Sequence, residues 1–218
     1  MTDRNVALSP SQGVVIGPTV YDLSSSTGWT TVAGGGTGTA TITGGVLRLV
    51  HTVGANAYRT SDLNYLGASA YRSLGCKADF DVCARLAVIP ATATVYTYIE
   101  IADASSAGER VSCNALGNGN CYFIRNNGGT ELASAVGRFG GYTGQEWLRV
   151  SVRGGHVTVY TGVGVDGARP TSWLSIGGAY ALIAKWSHVS LSMAAVGIAG
   201  TETVDWDDLT IVDLGGGL

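Results

Sequence analysis

An alternation of residue types constrains this chain more than any motif does. Leu148, Val150 and Val152 alternate with Trp147, Arg149, Ser151 and Arg153, the period-two spacing of a strand with one buried and one wet face. Gly154-Gly155 then interrupts the run, where a two-residue hairpin turn needs residues that accept positive φ. Val157 and Val159 resume the spacing on the return strand. Residues 144–161 therefore read as a β-hairpin.

The same pattern recurs along the chain. Thr37 to Thr43, Gly44-Gly45 and Val46 to Val50 predict a second hairpin. Cys76 to Ile89 predicts one long strand, with Ala78, Phe80, Val82, Ala84, Leu86 and Val88 on one face and Lys77, Asp79, Asp81, Cys83 and Arg85 on the other. In Val95 to Ala104, Val95, Thr97, Ile99 and Ile101 suit a core, opposed by Tyr96, Tyr98 and Glu100. Arg110 to Ala115 and Asn120 to Asn126 form a cysteine-flanked hairpin, and Thr203 to Val212 a closing strand. Ala57 to Leu66 lacks alternation and reads as a short strand and a long loop. Ala179 to Trp186 is the one run with a prospect of helical turns. With 33 glycines and only 13% charged residues, composition also favours short strands and tight turns over helices.

At 218 residues the chain suits one all-β domain, and no internal repeat suggests a propeller or solenoid. Residues 1–17, with Pro10, Gly13 and Gly17, are expected to form an extended arm, with a first edge strand as the alternative. Residues 18–214 form the domain and 215–218 a tail.

Trp29, the Gly34-Gly35-Gly36 loop, Thr39-Ala40-Thr41-Ile42-Thr43, Gly44-Gly45 and Val46-Leu47-Arg48-Leu49 come in an order that resembles the opening of concanavalin-A-like and laminin-G-like jelly-roll sandwiches. The hairpin beginning at Trp147 and the Asp205-Trp206-Asp207-Asp208-Leu209 strand resemble their late elements. The resemblance runs from about residue 20 to 213 and implies an all-β fold: a two-sheet antiparallel sandwich of jelly-roll topology. It further implies a curved sheet whose polar face offers aromatic rings to sugar C–H faces and charged groups to hydroxyls. The candidates for that face are Asp79, Asp81, Arg85, Tyr96, Tyr98 and Glu100, with Lys77 beside them, extended by Trp147, Arg149, Arg153 and Tyr160. The alternative is a solvated sheet face whose charges serve solubility and cross-strand pairing.

Sandwich glucanases carry their acids in a Glu-hydrophobic-Asp-x-x-Glu strand. Glu100-Ile101-Ala102-Asp103 matches it in part, with Asp103 on the opposite face and the final Glu absent. The Arg, Gln-x-His and Tyr-rich strands of sandwich alginate lyases are absent too. The resemblance also implies a structural Ca²⁺ between first and last strands, for which Asp22, Asp207 and Asp208 are the oxygen donors. The alternative there is an acidic edge that discourages edge-to-edge pairing. No other cofactor is expected.

A net charge of −3 and a pI near 5.5 give no electrostatic reason to bind nucleic acid or an anionic membrane. No run approaches the ~18 apolar residues of a membrane helix. His51, His156 and His188 share no spacing, and no nucleophile elbow, phosphate loop or zinc-protease motif occurs. Symmetric pairing about Gly117 sets Cys113 opposite Cys121, allowing a cross-strand disulfide, with buried thiols as the alternative. Cys76 and Cys83, placed on one strand and pointing to opposite faces, are not expected to pair.

The N-terminus carries no apolar leader sequence, so the expectation is synthesis in the cytoplasm and display on a virion surface. The function expected is that of a non-catalytic module, an accessory virion protein of a phage such as a head decoration or fibre component. It would be a homo-oligomer held to a capsid or tail through residues 1–17, with a cell-surface glycan as a further partner. The alternatives are a free-standing carbohydrate-binding module or lectin, and a glycoside hydrolase or polysaccharide lyase of the sandwich type.

Overall fold

The computed structural model describes residues 19–32, 38–52, 69–77, 79–89, 95–102, 109–127, 130–138, 143–176, 180–181, 186–195 and 200–213. The expected arm at 1–17, the loop at 57–66 and the tail lie outside them. Among the described residues every regular element is a strand. In chain order these are β1 (Thr19–Tyr21), β2 (Trp29–Val32), β3 (Gly38–Thr43), β4 (Val46–Thr52), β5 (Ser69–Lys77), β6 (Phe80–Val88), β7 (Val95–Ala102) and β8 (Glu109–Leu116). They continue with β9 (Asn120–Asn127), β10 (Thr130–Arg138), β11 (Glu146–Arg153), β12 (His156–Val163), β13 (Leu174–Ser175), β14 (Tyr180–Ala181), β15 (Trp186–Ala195) and β16 (Thr201–Asp213).

Two antiparallel sheets form the sandwich. The first runs β13-β12-β11-β6-β16-β4-β3, with β1 beside β16 and β14 beside β12. The second runs β10-β9-β8-β7-β15-β5-β2. Strand neighbours far apart in sequence, such as β6 with β16 and β7 with β15, give the crossed connectivity of a jelly roll.

The inner faces are those set by the alternation. Phe80, Val82, Leu86, Leu148, Val150, Val152 and Trp206 from the first sheet are fully buried, as are Ile99, Ile101, Val111, Phe123, Val189, Leu191 and Met193 from the second. Gly154 and Gly155 turn the β11–β12 hairpin with φ of 53° and 73°, values that place both in the left-handed region a two-residue turn requires. Buried polar groups in this layer are few. Thr97 satisfies its hydroxyl by donating to the Ala115 carbonyl at 3.0 Å, whereas the ring nitrogens of His51, 1% exposed, find no hydrogen-bond partner. Burial therefore lowers the His51 pKa and holds the ring neutral.

Four local expectations change. Cys76 to Ile89 is not one strand: the chain breaks around Asp79, and β5 and β6 belong to different sheets. Cys76 and Cys83 therefore belong to strands of different sheets and not to one strand. Cys113 pairs in register with Phe123, and Cys121 with Ala115, because a turn closed by Gly119 N to Leu116 O and a left-handed Gly119 centres the hairpin one residue later. Both cysteines are buried free thiols, and desolvation raises the pKa of each. Finally, Tyr180–Ala181 is a strand paired to β12, where helical turns were expected.

Candidate functional site

The predicted polar face divides between two surfaces that point away from each other. β6 lies in the first sheet and β7 in the second, so Asp81 and Arg85 emerge on one outside of the sandwich and Tyr96, Tyr98 and Glu100 on the other. The grouping of these residues into one groove is thus corrected: consecutive strands alternate between layers.

On the outer face of the first sheet the charges are spent on one another. Arg149 forks onto both Asp81 oxygens, Nε to Oδ1 at 2.8 Å and a terminal nitrogen to Oδ2 at 2.5 Å. Arg153 reaches the same Oδ2 at 3.3 Å. The Arg149 guanidinium also lies over the rings of Tyr160 and Trp173, at 5.3 and 5.5 Å. Hydrogen bonding to Asp81 raises the Arg149 pKa, and the carboxylate is engaged on both oxygens. Asp79 accepts from the Gly154 amide at 2.9 Å and so braces the hairpin turn. Trp147 is almost wholly buried at 3% exposure and offers little ring for stacking.

Each of the three carboxylates expected to hold calcium has a partner within the protein. Asp207 and Asp208 both bind Arg85, at 2.7 and 3.1 Å, and Asp22 accepts from the amide and hydroxyl of Ser24 at 2.9 and 2.5 Å. Among the described residues no group of three His, Cys, Asp or Glu is disposed to hold a metal ion. The Arg85 guanidinium is the positive charge that faces Asp207 and Asp208. Burial still outweighs it at Asp207, whose pKa is raised chiefly by desolvation.

The outer face of the second sheet has a different character. Glu100 stands at the centre of β7, opposite Ser112 of β8 on one side and Ser190 of β15 on the other. One step along, Tyr98 lies between Asn114 and Ser192, and Tyr122 of β9 extends that row beyond Asn114. Tyr96 follows, its ring stacked on that of Tyr98 with centroids 6.3 Å apart and planes 18° off parallel. Glu100, Ser112, Ser190 and Ser192 are at most 1% exposed and Asn114 3%, although they point away from the core. The two tyrosines are part-exposed. The Ser112 and Ser192 hydroxyls and the Asn114 carbonyl oxygen have no hydrogen-bond partner. Buried hydroxyls and amides are normally satisfied, and each that is not calls for an explanation such as a ligand or water.

Ser112, Asn114, Ser190 and Ser192 were missed in the sequence as site residues. Their signal was the polar half of alternations already visible, Val111/Cys113/Ala115 against Ser112/Asn114 and Val189/Leu191/Met193 against Ser190/Ser192.

No family model and no curated protein matches this chain. Solved structures do. The Bacillus licheniformis β-glucanase superposes with a TM-score of 0.60 at 10% identity, over 90% of this chain and 97% of that one. The catalytic domain of an endo-1,3-β-glucanase (laminarinase) from Thermotoga petrophila gives 0.60 at 11% identity, over 91% and 97%. A GH43 protein of Bacillus licheniformis gives 0.63 at 13% identity over 89% of this chain but only 39% of its own length. The fold is a concanavalin-A-like jelly-roll sandwich. At these identities the likeness shows fold alone. It nevertheless corrects the expectation of a non-catalytic virion module: the β-glucanase and the laminarinase, each matched over 97% of its length, are glycoside hydrolases.

Proposed function

We propose that this sandwich is a glycan-processing protein of the glycoside hydrolase type, with its site on the outer face of β7, β8 and β15. The observation that carries the proposal is Glu100, a fully buried carboxyl set among Ser112, Ser190, Asn114 and Ser192 on an outward-pointing face. The part-exposed Tyr96–Tyr98 stack continues that face along the same strand.

Hydroxyls and an amide oxygen without protein partners suit the hydroxyl pattern of a sugar. The tyrosine rings offer the apolar surface on which its C–H face rests. Hydrolysis of a glycosidic bond uses two carboxyls flanking the oxygen, one protonating the leaving group and the other acting as base or nucleophile. Glu100 supplies one of the pair, and it is the single carboxyl on this face among the described side chains. Asp81, on the other face, is a weaker candidate, because two arginines hold it.

The test is release of reducing ends from a polysaccharide panel that includes β-1,3-glucan, mixed-linkage β-glucan and xylan. Activity present in the native chain, abolished in Glu100→Gln and kept in Asp81→Asn, is the expected result. Glycan retention without release on any substrate would leave binding and remove hydrolysis.

A further inference from the structure

We infer that the groove on the far side of the sandwich is a second saccharide site, which takes a short neutral glycan or a chain end independently of Glu100. It is a hollow of about 520 Å³ between the turn after β1, the segment 164–169 and the middle of β16. That volume falls within the range of small-molecule sites.

Its walls are built at some conformational cost. β16 carries a bulge between Asp207 and Thr210, where three steps on this strand face two on β6. The bulge sets Asp208 at φ 48°, a left-handed conformation that glycine adopts freely and a residue with a β-carbon does not. The result is a half-exposed carboxylate at the groove, steadied by Arg85 Nε at 3.1 Å. Arg85 is in turn held by Asp207 and by the Gly144 carbonyl at 3.2 Å.

The opposite wall is a strap packed down onto Trp147. A β-carbon at Gly164 would lie 2.1 Å from the Ala168 carbonyl oxygen and 2.9 Å from the Trp147 indole nitrogen, so only glycine fits. Gln145 ties the strap at both ends, its carbonyl accepting from Gly164 N at 2.7 Å and its Oε1 from Gly167 N at 2.6 Å. Arg169 closes the strap with its guanidinium over the Trp173 ring at 5.8 Å. Among the described residues no carboxylate forms an ion pair with it.

The lining fits a polyhydroxylated ring. Asp22 and Asp208 offer acceptors and Arg169 offers donors, around a floor of Leu23, Leu209 and Trp147. The Trp147 indole N–H is buried with no acceptor, a donor whose unmet hydrogen bond is costly. Charges of both signs around one hollow disfavour a purely anionic or cationic ligand and favour a neutral one that donates and accepts.

The experiment is an NMR titration of the full chain with glucose, xylose and their β-linked disaccharides, followed at the Trp147 indole N–H and the Gly167 and Ser24 amides. Saturable shifts are expected. Ala168→Trp, which places a large ring at an exposed position in the groove wall, should weaken binding by at least about tenfold, a loss of roughly 1.4 kcal/mol. Arg169→Ala should weaken it less, and Glu100→Gln should leave these shifts unchanged. Thermal unfolding of each variant checks that the fold is retained. The inference is overturned if the three resonances stay still with every sugar, if they move for calcium alone, or if sugar shifts are insensitive to both groove variants. Because Glu100→Gln tests only the other face, failure here does not touch the hydrolase proposal.

Discussion

The two outer faces of this sandwich are both rich in polar residues and differ in what those residues do. On the first sheet, carboxylates meet arginines: Asp81 takes Arg149 and Arg153, while Arg85 takes Asp207 and Asp208. On the second, a carboxyl and an amide stand among serines and tyrosines, out of contact with solvent, and several oxygens lack protein partners. A salt-bridged carboxylate is committed to structure, since removing it strands a partly buried guanidinium. Unsatisfied hydroxyls and amides hold open a demand that a ligand can meet. The comparison teaches that charge density alone is a poor guide to a site; the state of satisfaction of each group is better.

The largest expected effect is on activity. Glu100→Gln keeps the shape of the side chain and removes its acid–base and nucleophilic chemistry, so polysaccharide cleavage should fall by about a thousandfold or more. Thermal stability should change little beside that loss. If Asp81→Asn abolishes cleavage and Glu100→Gln does not, the roles of the two faces are reversed.

Next comes stability on the first face. Asp81→Ala leaves Arg149 forked toward nothing, and urea unfolding should show a loss of about 2–3 kcal/mol. A change within about 0.5 kcal/mol would mean that the network is an ordinary surface ion pair. Tyr96→Ala and Tyr98→Ala should each weaken glycan binding on the second face by about tenfold, roughly the value of one aromatic contact. Retention assays on immobilised polysaccharide read that loss directly.

The smallest effect separates the faces from the core between them. His51 is buried and neutral, with its folded pKa below the unfolded value of about 6.5. As pH falls through that value the unfolded chain binds a proton that the fold resists, so stability is present above it and declines below it. His51→Leu should flatten this slope in urea midpoints measured between pH 7 and 5. An unchanged slope would assign the acid sensitivity to the carboxylates of the first face.

Much of this was readable from local pattern. The inward sets on β6, β7, β11, β12 and β15 follow from period-two spacing, except that Val88 at the end of β6 is 44% exposed and Ala78 lies outside the described residues, and Gly44-Gly45 and Gly154-Gly155 mark hairpins because positive φ is needed at both turn positions. Layer assignment was not readable. The polar half of β6 and the polar half of β7 look alike in sequence, and nothing in 90–94 announces that the chain changes sheet. Nor does the unbroken alternation from Cys76 to Ile89 show the break at Asp79. The cysteine register failed for a smaller reason: a left-handed Gly119 shifts the hairpin centre by one residue. Arg85 as the partner of both Asp207 and Asp208 depends on a bulge 122 residues away, which no local pattern encodes.

One measurement tests the central claim most directly: amide chemical-shift mapping of Glu100→Gln, carrying Ala168→Trp to close the far groove, during titration with a β-linked glucan oligosaccharide. Shifts concentrated at Tyr96 to Gln-substituted position 100, Ser112, Asn114 and Ser190 to Ser192 are the predicted result. Shifts confined to the neighbourhood of Asp81, Arg85 and Arg149, with the second sheet silent, would contradict it.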